Sequence, residues 1–166
     1  RAARAANDGY TLITGHMGTH AASVPLYPKL AYHPEKDFEP VALLAGTPIL
    51  ILARKDFPPE DLKEFVAYVK ANADKVNAAH AGIGSVSHLA AERFRLSAGI
   101  EAQHIPFRGP NEAFTELMAG RIDFYFLPLA PALPLVKEGQ LVALAVSTDR
   151  RAAALPDVPT TTELGF

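Results

Sequence analysis

Cysteine and tryptophan are both absent from this chain. Without cysteine there are no disulfides, no thiolate metal ligands and no thiol nucleophile, although this alone leaves the compartment open. An excess of one charge is lacking too. A formal net charge of −2 over 166 residues provides no basic face to neutralise phosphates, so nucleic acid is not an expected partner. Nor is there a long apolar run: the best candidate, residues 41–53, is broken by Gly46 and Pro48 and is too short to span a bilayer. The chain opens on Arg1-Ala2-Ala3-Arg4 with no apolar leader behind it and stops abruptly at Glu163-Leu164-Gly165-Phe166, as expected of a piece of a longer protein.

What is present is apolar mass, 49% hydrophobic against 20% charged residues, enough for the core of one domain or two small lobes. Fourteen prolines and eleven glycines punctuate it. Asn7-Asp8-Gly9 is a turn signal that predicts a short strand over 10–14. A loop from Gly15 to His20 and a proline-rich irregular stretch through Pro40 follow, and then extended chain over 41–54. From residue 58 the pattern becomes regular. Pro58-Pro59-Glu60-Asp61 opens a helix that runs to Ala71, with Leu62, Phe65, Val66 and Val69 at helical spacing. Ser85 caps a second helix to Ser97, which Gly99 ends. Further helices are expected over 111–119 and 130–138, closed by Gly120 and Gly139. Strands are expected over 77–81, 102–106, 122–127 and 141–147.

This alternation predicts an α/β fold with a mostly parallel sheet and helices on both faces. In such sheets ligands sit beyond the carboxyl ends of the strands. Three loops should therefore converge there: Gly82 to Ser87, Phe107 to Pro110, and Leu127 to Ala130.

Of these, Gly82-Ile83-Gly84-Ser85-Val86-Ser87-His88 carries the most chemistry. Two glycines allow close backbone approach, and free helix amides with two hydroxyls suit an anion of carboxylate size. The same residues also make a tight strand-to-helix turn with a capping serine and no ligand. No Lys-Ser/Thr pair follows Gly84, so this is not a P-loop, and Ser87 stands where the dinucleotide fingerprint has its third glycine. Arg108, in Phe107-Arg108-Gly109-Pro110, is either a two-pronged carboxylate ligand or a solvated loop residue. His16 and His20 have the spacing of helical zinc ligands, but Gly18 lies between them and no third ligand is near, so no metal or cofactor is expected. Ser85, Ser87, His88, His104 and Asp123 include triad residue types without a Gly-x-Ser-x-Gly elbow, which disfavours a hydrolase.

Several segments together resemble the substrate-binding receptors of tripartite tricarboxylate transporters. They are Asp8-Gly9-Tyr10-Thr11-Leu12, Leu26-Tyr27-Pro28-Lys29-Leu30, Lys36-Asp37-Phe38-Glu39-Pro40-Val41, Ala81-Gly82 with Gly84-Ser85 and His88-Leu89-Ala90, His104-Ile105-Pro106-Phe107-Arg108-Gly109, and Ala154-Leu155-Pro156-Asp157-Val158-Pro159-Thr160. The resemblance runs the length of the chain in order. It implies a type II periplasmic-binding-protein fold with two lobes that close like a flytrap, of which this chain is a central part. Residues 1–49 would belong to lobe one, 50–141 would form lobe two, and 142–166 would be a hinge strand returning to lobe one. The implied protein is a monomeric periplasmic receptor without catalytic activity. It captures a small organic acid and delivers it to membrane transporter subunits.

Carried over residue by residue, the resemblance puts Ala81, Gly84, Ser85 and Ser87 around the ligand carboxylate with Phe107 nearby, and Thr19 on the lobe-one side. Many relatives have an aspartate where Leu127 stands here. Leu127 therefore favours a dicarboxylate, or an acid with an apolar body, over an amino acid. The alternatives are the effector-binding lobe of a transcription regulator, which shares the architecture, and, third, a hydrolase.

Overall fold

The protein is described by a computed structural model covering residues 2–166. Two compact units divide it, the first ending at Ala45 and the second spanning Gly46–Phe166. Regular structure is sparse in the first unit. A π-helical turn, Gly18–Ala22, runs into the short helix α1, Ser23–Leu26. Phe38 packs edge-on against both His20 and Tyr32, and the Tyr32 hydroxyl donates to the Thr19 carbonyl at 2.5 Å.

The strand expected over 10–14 does not form. The Tyr10 amide instead folds back to Asp8 Oδ1 at 3.0 Å, and residues 10–14 are exposed with no neighbouring strand among the described residues. A local turn signal supplies no ladder; a partner strand must take the backbone amides and carbonyls. The extended reading of 41–54 is likewise confined to Ile49–Arg54, after Pro48, whose carbonyl accepts from the Leu129 amide at 2.9 Å.

Alternation then proceeds as the punctuation predicts. The elements are β1 Ile49–Arg54, α2 Leu62–Ala71, β2 Asn77–His80, α3 Val86–Ala98, β3 Gln103–Pro106, α4 Pro110–Met118, β4 Phe124–Pro128, α5 Leu129–Lys137 and β5 Leu141–Val146. Pro58 and Pro59 lie ahead of α2 rather than in its first turn. Asp61 is the cap, accepting from the Glu64 amide at 2.8 Å, while Glu64 reaches back to the Glu60 amide at 3.0 Å. Gly99 ends α3 with φ +63°, a left-handed conformation that favours glycine.

The five strands form one sheet in the order β3-β2-β4-β1-β5. β2 pairs in parallel with β3 and β4, but β1 runs antiparallel to both β4 and β5. The sheet is thus mixed rather than mostly parallel: four strands run one way, and β1, reversed beside the centre, makes two of the four pairings antiparallel.

Every residue of β1 from Ile49 to Ala53 is buried, and the strand feeds both faces of the sheet. Ile49, Ile51 and Ala53 join Ala78, Phe124 and Phe126 under α2 and α3. Leu50 and Leu52 join Ala79, Tyr125 and Leu127 under α4 and α5. Period-two alternation along β1 and β4 thereby makes two cores from one sheet. Beyond β5, Val146 bridges to the buried Thr160, and Leu155 and Phe166 close over opposite faces.

Candidate functional site: the strand-end turn into α3

Because β3, β2 and β4 are parallel neighbours, the loops after them leave the same end of the sheet. The turn after β2 is built by two left-handed glycines, Gly82 at φ +100° and Gly84 at φ +78°. They reverse the chain tightly enough for the Ser85 amide to donate to the Gly82 carbonyl at 3.2 Å. Ser85 then caps α3: its Oγ accepts from the His88 amide at 3.3 Å, and its carbonyl accepts from the Leu89 amide at 3.0 Å. The amides of Val86 and Ser87, in the same first turn, take no hydrogen-bond partner among the described residues. Unpaired first-turn amides at the positive end of a 13-residue helix favour an anion.

The two serines divide the work. Ser87 is buried and its Oγ accepts from the Ala81 amide at 2.9 Å. Ser85 is half-buried, with its Oγ 3.0 Å from that of Ser87. Gly84 is buried and donates its amide to His88 Nδ1 at 3.4 Å, while the Gly82 amide donates to His80 Nδ1 at 3.1 Å. Ala81, Gly84, Ser85 and Ser87 are therefore brought together in one hydrogen-bonded turn.

Phe107 is tied to the same place through its amide, which donates to the His80 carbonyl at 2.8 Å, while its half-buried side chain packs on the α4 side of the sheet. Arg108 is exposed, and its amide donates to Glu112 Oε2 at 3.2 Å. Leu127 is only 4% exposed and sits inside the core beneath α4 and α5, paired with Leu50. In the first unit, the Thr19 hydroxyl is engaged locally, donating to the His16 carbonyl at 3.1 Å and meeting His20 Nδ1 at 2.9 Å.

A hydrolytic triad is not assembled. Asp123 accepts from the Asn77 amide at 2.9 Å and from Arg54 Nε at 3.0 Å, at the start of β2. The serines lie past its other end. What the turn does gather, unforeseen from the chain, is a cluster of His80, His88 and His104 behind it. The signal was present in strand parity. His104 pairs in register with Ala78, which shares a face with His80, and α3, carrying His88, covers that face.

The family model described as "Tripartite tricarboxylate transporter family receptor" matches residues 1–166. A curated relative, the UPF0065 protein in the TAR-I ttuE-ttuC' intergenic region of Agrobacterium vitis, is 39% identical over 164 residues, covering 99% of this chain and 47% of that protein. Among solved structures, MatC (Rpa3494) from Rhodopseudomonas palustris with bound malate is 46% identical with a TM-score of 0.88, covering 99% of this chain and 56% of that one. R. palustris Rpa4515 with adipate is 30% identical with a TM-score of 0.90, at 99% and 55% coverage. The chain spans about half the length of the curated relatives it matches.

Proposed function

This chain belongs to the tripartite tricarboxylate transporter receptor family, and from that premise we propose that it is the ligand-holding part of a periplasmic receptor for a short dicarboxylate. The observation that carries this reading is the entrance of α3, where unpaired amides and the Ser85 hydroxyl meet behind two left-handed glycines. A carboxylate there would accept from the amides of Val86 and Ser87 and from the Ser85 hydroxyl. Charge-assisted bonds of this kind are stronger than neutral ones.

Malate bound to a 46% identical protein and adipate bound to a 30% identical one support a dicarboxylate rather than a single-headed acid. Leu127 fits the same choice, since an apolar strand end gives a ligand ammonium group no counter-charge. In this reading residues 1–49 contribute to lobe one, with Thr19 on its ligand wall. Residues 50–141 form lobe two, and 142–166 lead back toward lobe one. Closure of the lobes around the acid excludes water and strengthens each polar contact. The receptor then hands the acid to membrane transporter subunits, acts as a monomer, and carries out no chemistry on its ligand.

A thermal-shift screen of a full-length receptor carrying this chain tests the proposal. Malate, succinate and adipate should raise the melting temperature, whereas arginine and glutamine should not, because a ligand bound only by the folded state stabilises it. Stabilisation by amino acids alone would overturn the assignment.

A further inference from the structure

Three histidines from three different elements meet behind the strand-end turn: His80 from β2, His88 from the first turn of α3, and His104 from β3. One ring nitrogen from each lies within 4.8 Å of the other two. The ring centroids of His80 and His88 are 4.7 Å apart, and His104 sits 6.0 Å from each. His80 is 3% exposed and the other two are half-buried.

His104 gives the clearest indication of purpose. Its Nε2 lies 3.3 Å from Glu92 Oε1, one turn along α3 from His88. Donating its proton there leaves Nδ1 as a bare lone pair, and that atom is buried without a hydrogen-bond partner. An unpaired buried acceptor is costly and calls for an occupant. An imidazole that donates one nitrogen to a carboxylate, keeps the other buried and unpaired, and lies in a cluster with two more imidazoles has the arrangement of a metal ligand with its orienting partner. Burial holds His80 and His104 below the usual histidine range, which favours the neutral ring that has a lone pair to give.

We propose that His80, His88 and His104 form a binding site for a divalent transition-metal ion of the zinc class, with Glu92 orienting His104. Imidazole nitrogen selects such ions over magnesium or calcium, which take oxygen ligands. With metal–nitrogen bonds of about 2.0–2.1 Å in a tetrahedron, three nitrogens stand roughly 3.4 Å apart, so small ring rotations close the cluster around an ion. The fourth position falls to water, since the second Glu92 oxygen is held by Arg95 Nε at 2.9 Å.

Loading the site has a local consequence. The Nδ1 atoms of His80 and His88 now accept from the Gly82 and Gly84 amides. If either nitrogen of these rings binds the ion, Nδ1 becomes protonated or metallated and cannot accept. Both glycine amides are then released toward the turn. The link to ligand binding rests on the carboxylate reading; the metal site itself does not.

The test titrates cobalt and zinc chlorides into chelator-stripped, tag-free full-length receptor carrying this chain. One equivalent of cobalt should bind with the visible absorption of a tetrahedral nitrogen site, and zinc should displace it. Zinc should also shift the Gly82 and Gly84 amide resonances. His104→Gln and His80→Gln should each weaken binding at least about tenfold, and Glu92→Gln about 10–100-fold. The double variant His16→Gln with His20→Gln should leave metal affinity unchanged, which separates this site from the other histidine pair of the chain. Circular dichroism checks that each variant is folded. If His80→Gln is not, half-buried His104→Gln serves as the test. Absence of a one-to-one complex in the unmodified protein, or full cobalt affinity in folded His104→Gln, would overturn the proposal.

Discussion

The hydroxyl oxygens of Ser85 and Ser87 stand 3.0 Å apart at the entrance of α3, and their surroundings assign them different tasks. Ser87 Oγ accepts from the Ala81 amide and is buried, and either hydroxyl of the pair can donate to the other. When Ser87 donates, the Ser85 proton is free to point outward. Ser87→Ala leaves a backbone amide unpaired and should cost about 1–3 kcal/mol of stability. Ser85→Ala removes a helix cap and should cost about 1 kcal/mol. Urea denaturation of the two variants checks the order; a Ser87→Ala variant as stable as the parent would contradict it.

Gly82 holds φ +100° with nothing within 4 Å of where a Cβ would be. Gly82→Ala therefore meets no clash, and only backbone strain remains, about 1–2 kcal/mol. Denaturation should show that loss, and amide exchange should place the loosening at 82–88 rather than across the sheet.

At the opposite end of β2, Asp123 joins three strands by holding the Asn77 amide of β2 and Arg54 Nε of β1. Asp123→Ala should cost about 2–3 kcal/mol, since it strands a backbone amide and removes a charge-assisted bond from the Arg54 guanidinium. Chemical denaturation measures this, and ligand affinity should change little because the turn lies past the far end of β2.

Tyr125 is fully buried in the central strand, and its hydroxyl makes no hydrogen bond. Tyr125→Phe should therefore leave stability within about 1 kcal/mol or raise it. Burial raises the phenol above its usual range. The folded chain thus holds this proton more tightly than the unfolded chain. Its contribution is fully present below pH ~10 and is lost as pH climbs through the raised value. Stability measured against alkaline pH should lose that slope in Tyr125→Phe.

The order of elements in the second unit was legible because local chemistry sets it. Ser85 caps one helix, Gly99 ends it, and the apolar spacing of Leu62, Phe65, Val66 and Val69 in another needs no distant partner. Strand direction was not legible in the same way. Ile49-Leu50-Ile51-Leu52-Ala53 is buried on both faces and reads alike in either direction, so its antiparallel setting between β4 and β5 depends on the whole sheet. The turn signal at Asn7-Asp8-Gly9 indicated a strand over 10–14, but no described segment supplies the ladder. The turn around Ser85 was readable as a helix cap with free amides. The histidine cluster was not, because its members are separated by 8 and 16 residues and meet only through the register of β2 with β3.

The central claim, that the α3 entrance holds a carboxylate, is tested most directly by calorimetric titration of a short dicarboxylate into full-length receptor carrying this chain, with and without Ser85→Ala. Binding should be one-to-one in the parent and weaker by about 1–3 kcal/mol in the variant, the value of a hydrogen bond to a charged group. Equal affinity in a folded Ser85→Ala variant would contradict the claim.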